Sequence, residues 1–184
     1  VTETGCVLDA SGIFVSRGGN NQWEADAAGG RTNWLVVWRD NLDETKSDIY
    51  GARVGSAGIV LDPAGLTVCT ATNKQRDPSV AWGGTNFLVV WADDRNLASN
   101  VNEFADIYGA RVSDAGLVLD ANGILICTNL GPQAVPDVAG GTGVFMVVWE
   151  DYLTYTNGTT YFGDIAGARI NWAGTVLDPG TNLI

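Results

Sequence analysis

The sequence predicts an all-β fold: three repeats of 53–58 residues plus an extra terminal strand, forming a single repeat domain over residues 1–184. Three recurring signals carry that reading. An aromatic–Leu/Met–Val–Val–Trp run ends at Trp38, Trp91 and Trp149; a Gly-Ala-Arg triplet ends at Arg53, Arg111 and Arg169; and Val-Leu-Asp ends at Asp9, Asp62, Asp120 and Asp178. From the Val-Leu-Asp aspartate to the tryptophan is always 29 residues, and from the arginine to the next such aspartate always 9. Only the stretch from the tryptophan to the Asp before the Gly-Ala-Arg strand varies, 10 residues in the first unit and 15 in the other two. A fixed scaffold with one elastic loop per unit is how a rigid repeat fold presents variable loops on one side.

The elements follow in order within units 10–62, 63–120 and 121–178, after an N-terminal extra strand at 1–9. The Val-Val-Trp runs are continuous and apolar, as in strands buried on both faces. The Asp-Ile-Tyr-Gly-Ala-Arg-Val segment predicts the next strand, its Gly and Ala leaving room for a closely packed neighbour. Gly-x-Val-Leu-Asp is read as a third strand, turning through Pro63-Ala64-Gly65 and Ala121-Asn122-Gly123 into returning strands at Leu66–Cys69 and Ile124–Cys127. Weaker strands at 77–84 and 135–141 lead back to the Val-Val-Trp runs. No segment has helical periodicity, so regular short strands separated by turns remain.

The unit Gly84-Thr-Asn-Phe-Leu-Val-Val-Trp-x-Asp-x-Arg … Asp-Ile-Tyr-Gly-Ala-Arg-Val … Val-Leu-Asp120 resembles a repeat of large secreted and surface-anchored bacterial proteins, whose units resemble β-propeller blades. The third unit departs from it at Ala166, where Tyr is usual, and the first at Asn41-Leu42, where the Asp-Arg pair would fall. The resemblance covers nearly the whole chain and implies an extracellular or cell-surface location. It implies little about activity, because propellers host many.

Composition narrows the function. The net charge of −11 speaks against nucleic acid, which needs a basic surface. The absence of histidine removes the commonest general base, the usual serine triad and most zinc sites. No apolar run is long enough for a membrane helix, so membrane insertion is not expected. The chain starts at Val1 with no signal peptide, the pattern of a mature or trimmed product. Cys6, Cys69 and Cys127 allow one bridge and a spare thiol, an intermolecular bond, or three buried free thiols.

The acidic loops offer Asp40, Asp48, Asp93, Asp106, Asp151 and Asp164 as oxygen ligands of the kind Ca²⁺ takes, against the plainer reading of turn residues and solvated charge. Phe104, Tyr152, Tyr155, Tyr161 and Phe162 are loop aromatics able to stack on a glycan; Trp38, Trp91 and Trp149 are core residues. The repeated arginines are expected to form structural ion pairs between blades. Nearly every carboxylate has counterparts in the other units, which favours scaffold over a catalytic pair, and no phosphate loop or nucleophile elbow is present. The chain is therefore read as no enzyme.

Three blades do not close a propeller, which has four to eight. Four Val-Leu-Asp segments stand against three Gly-Ala-Arg strands, leaving an unpaired apolar edge that invites association. Cys6, Val7, Leu8, Ile13 and Phe14 are the residues such a junction would use. The expected role is a non-catalytic extracellular structural or adhesive repeat that self-associates as a homo-oligomer or polymer, or belongs to a longer propeller. The alternatives are a lectin-like module using the loops after Trp38, Trp91 and Trp149, and a piece of a propeller enzyme. A three-fold β-prism or β-trefoil is the alternative architecture.

Overall fold

A computed structural model of the chain describes residues 8–97, 105–129, 131–154 and 161–179; the side chains of residues 153–154 and 161–162 lie outside the described set. The described residues form three antiparallel sheets and no helix. Blade 1 is β1 (Asn21–Gly29), β2 (Asn33–Asn41), β3 (Ser47–Gly55) and β4 (Leu66–Cys69). Blade 2 is β5 (Gln75–Trp82), β6 (Asn86–Asp93), β7 (Asp106–Ser113) and β8 (Ile124–Cys127). Blade 3 is β9 (Gln133–Gly140), β10 (Val144–Thr154) and β11 (Tyr161–Asn171). Strands pair in chain order within each sheet, the meander of a propeller blade. Each sequence unit straddles two blades, giving its first strand to the one before.

The blades stack face to face, with blade 2 in the middle. Its β6 shows the reason for an unbroken apolar run. Phe87, Val89 and Trp91 join the core shared with Leu35 and Val37 of blade 1, while Leu88 and Val90 join the core shared with Phe145, Val147 and Trp149 of blade 3. Both faces are dry, and each large side chain so buried contributes about 1.5–3 kcal/mol. The expectation of two buried faces holds fully only there. On β2 and β10 one face packs and the other turns to the open side of the stack, leaving Trp34 exposed and Met146 and Val148 half-buried.

Three expectations need correction. The Val-Leu-Asp segments are not strands: each makes a single bridge, Val54 to Val60, Val112 to Val118 and Ile170 to Val176, inside a turn. The arginine pairs are not between blades but within a unit. Arg53 grips Asp62, Arg111 grips Asp120 and Arg169 grips Asp178, each through Nε at 2.8–2.9 Å and Nη2 at 2.8 Å, with the arginine's own backbone N–H donating to the same carboxylate. That clamp explains the invariant nine-residue spacing. Only Nη1 crosses the blade boundary, from Arg53 to the Asp114 carbonyl and from Arg111 to the Trp172 carbonyl. Finally, residues 8–20 form no strand; Asp9 and Ile13 lie over Gly58 of blade 1 instead.

β1, β5 and β9 share a bulge that periodicity does not announce. Glu24, Asp77 and Val135, at equivalent positions, have φ of 55°, 53° and 49°, a left-handed conformation costly for a non-glycine residue. Carboxylates span the kink between blades. Glu24 accepts from the Asp77 N–H, Asp26 from the Val80 N–H, and the Ser79 hydroxyl lies 3.1 Å from Asp26 and 2.8 Å from Asp137. Recurrence in all three blades marks the bulge as part of the scaffold.

Candidate functional site

The six loop aspartates come together in pairs. Asp40 lies directly opposite Asp48, Asp93 opposite Asp106, and Asp151 opposite Asp164 across neighbouring strands. On the other side of each first aspartate stands a glutamine: Gln22, Gln75 and Gln133. Residues opposite one another in an antiparallel pair share a face. Each blade therefore carries a Gln–Asp–Asp row at the end of the sheet where the variable loops emerge. Two like charges face each other in every row, an arrangement that needs compensation. Among the described residues no three His, Cys, Asp or Glu side chains gather as a metal site; each row offers two carboxylates and one amide.

The compensation differs between blades. In blade 2, Asp93 is fully buried and saturated. Its Oδ2 accepts from Trp91 Nε1 and Arg95 Nη2, both at 2.6 Å, and its Oδ1 from the Arg95 backbone N–H at 2.8 Å. Arg95 also lies 3.9 Å from the centre of the Tyr108 ring and donates to the Asn122 carbonyl. In blade 1, the Asn20 and Gln22 amides donate to Asp40 at 2.7 and 3.1 Å, while Asp48 Oδ1 accepts no hydrogen bond. Burial pushes the Asp48 carboxyl up, opposed by the charge of Lys46 and aided by that of Asp40. Burial likewise raises Asp106, with the Asn96 amide working against it and Asp93 with it. In blade 3, Asp151 Oδ2 accepts from Asn129 Nδ2 at 2.8 Å and from Trp149 Nε1 at 3.5 Å, and Oδ1 accepts from nothing.

A thiol packs on two of these rows. Cys69 and Cys127 are free and buried, and burial pushes each up to about 11. They stand as neutral thiols at physiological pH, not as soft thiolate ligands. Ser16 takes the equivalent place beside blade 1, accepting from Gln22 Nε2 at 2.8 Å, and lines a pocket with Trp38, Asp40 and Tyr50.

The remaining candidates are scattered. Phe104 and Tyr155 lie outside the described residues, as do the side chains of Tyr161 and Phe162. Tyr152 is half-buried and its hydroxyl donates to Glu150 at 2.5 Å, which raises its own pKa. Cys6 and Val7 lie outside the described residues; Leu8, Ile13 and Phe14 are exposed. The glutamines were absent from the sequence candidates, although each precedes its tryptophan by 16 residues, a signal as regular as those used.

No family model and no curated protein matches the sequence. Among solved structures the chain is similar to a neuraminidase-like protein from A/bat/Guatemala/164/2009, at 14% identity and a TM-score of 0.53, covering 89% of this chain and 42% of that one. It is similar at the same identity and TM-score to the GH43 endo-arabinanase from Bacillus licheniformis, covering 89% of this chain and 59% of that one. The chain spans less than two thirds of either, and the likeness establishes the propeller fold alone.

Proposed function

We propose that the chain is a non-catalytic structural module whose function is to assemble: two copies join head to tail by their open blade faces into a six-bladed ring. The observation that carries this is an asymmetry among equivalent residues. Ile49 and Ile107 are 0% exposed inside the stack, whereas Ile165 at the open face of blade 3 is 62% exposed. Phe87 and Phe145 are 0% exposed, whereas Trp34 at the open face of blade 1 is 46% exposed. The two open faces are the two halves of the interface already formed twice within the chain. Six blades fall within the range of closed propellers.

Detail supports the match. Phe87 sits against Gly30, and Phe145 against Gly83; Trp34 of one copy would meet Gly141 of the other in the same way. The Arg169 side chain is 57% exposed against 18% for Arg53 and Arg111. Its Nη1 would reach the carbonyl of Ser56, the counterpart of Asp114 and Trp172. Residues 13–16 align with β4 and β8 and would supply blade 3 of a second copy with a fourth outer strand. Light scattering on the chain and on Ile165→Arg tests the proposal: the variant should stay folded but monomeric. A parent that is monomeric at every concentration overturns it.

A second reading is favoured by the fold likeness to an endo-arabinanase and a neuraminidase-like protein: a module that binds glycan at its loop-bearing end. Saturable binding of an arabino-oligosaccharide by a monomeric chain would support that reading instead.

A further inference from the structure

We propose that the row Gln133–Asp151–Asp164 of blade 3 binds one Ca²⁺ ion per chain. The comparison that carries it lies inside the molecule. Three rows share the same strand register, and two have a cation acting on them. In blade 2 the Arg95 guanidinium sits 2.6 Å from Asp93. In blade 1 the Lys46 charge acts on Asp48 from the loop between β2 and β3. Blade 3 has neither: where Arg95 stands two residues past Asp93, Leu153 stands two past Asp151, and from residue 112 to 184 the sole Lys or Arg is Arg169. Arg169 is engaged with Asp178.

The second observation is an unpartnered oxygen. Asp151 is 0% exposed, yet its Oδ1 accepts no hydrogen bond. A buried carboxylate without a counter-charge is among the costliest groups a fold can hold. Directly across on β9, Gln133 is also 0% exposed and its Oε1 is unpartnered. Its amide cannot turn round, because Nε2 is held by the carbonyls of Asn129 and Gly131 at 3.1 and 2.6 Å. Gln75 Oε1 is unpartnered as well, and so is Asp48 Oδ1 in blade 1, but Asp48 has the Lys46 charge acting on it; the bare oxygen of Asp151 has no such cation in its own unit. A carboxylate oxygen, an amide oxygen and a second carboxylate from Asp164 are hard ligands of the type Ca²⁺ takes, with water completing its shell.

The test is Ca²⁺ titration of the full chain, read by calorimetry and by thermal melting at fixed ionic strength. One ion per chain is expected, with the melting temperature rising with free Ca²⁺ by mass action. Asp164→Asn, at a half-buried position that tolerates the change, should weaken binding about tenfold or more. Absence of heat and of any melting shift overturns the proposal. So does a carboxylic-acid infrared band at neutral pH that vanishes in Asp151→Asn, since a proton shared with Gln133 would then satisfy the bare oxygen. Neither readout depends on whether copies assemble.

Discussion

Removing the guanidinium of Arg95 should turn the row of blade 2 into the row of blade 3. Asp93 has no exposed surface, and Arg95 meets it at 2.6 Å through Nη2 while its backbone N–H holds the other oxygen. Arg95→Met keeps the aliphatic stem and the backbone bond but strands the charge. Breaking a buried pair from one side costs about 3–5 kcal/mol. For a chain of this size that corresponds to a fall in melting temperature of roughly 6–20 °C. Asp93→Asn combined with Arg95→Met should recover about half of the loss or more, because neither partner is then left charged. Differential scanning calorimetry of the two variants measures this. A loss under about 1 kcal/mol in the single variant would refute the view that these rows need a counter-charge.

Other outcomes follow from the same contacts. Gly83→Ala would place a Cβ 2.3 Å from Cζ of the fully buried Phe145 ring, and should cost about 1–3 kcal/mol in urea unfolding. At the equivalent Gly141 the nearest atom to such a Cβ is the Val144 carbonyl at 3.4 Å; Gly141→Ala should leave the monomer's stability unchanged and weaken assembly about tenfold. Stability should pass through a maximum as pH falls. Asp48, Asp77 and Asp106 are raised above 3.8 by burial, so each adds stability as pH drops through its raised value toward 3.8. Asp62 and Asp178 are held below 3.8 chiefly by hydrogen bonds from Arg53 and Arg169, Asp178 at about 2, and Asp120 is held low by Arg111 despite burial. Their contribution is intact above 3.8 and is lost between there and about 2. Melting curves from pH 7 to 2 check the order of these two effects. Cys69 and Cys127, neutral and buried, should resist alkylation at pH 8 until the chain is unfolded.

The repeat was legible because its invariants are structural. The Trp-ending runs became β2, β6 and β10, of which β6 is dry on both faces and the outer two on one, and the nine-residue spacing reports the arginine clamp. The sense of that clamp was not legible. The arginine and the Val-Leu-Asp aspartate sit on opposite arms of a tight turn, and sequence separation alone does not show that the turn folds back. β1 escaped notice because Asn21–Gly29 is polar and largely exposed, and its bulge disrupts the alternation a strand would show. The six aspartates were found as candidates, but their pairing depends on register. Gln22, Gln75 and Gln133 were hidden because an uncharged amide draws no attention until a buried carboxylate stands opposite.

The mass of the full chain in solution, from sedimentation equilibrium over a wide concentration range, tests the central claim most directly. A head-to-tail ring of two copies predicts a species of twice 19.4 kDa whose fraction grows with concentration and stops there. A chain that remains at 19.4 kDa throughout, with the amides of β2 and β10 no better protected from exchange at high concentration than at low, would contradict it.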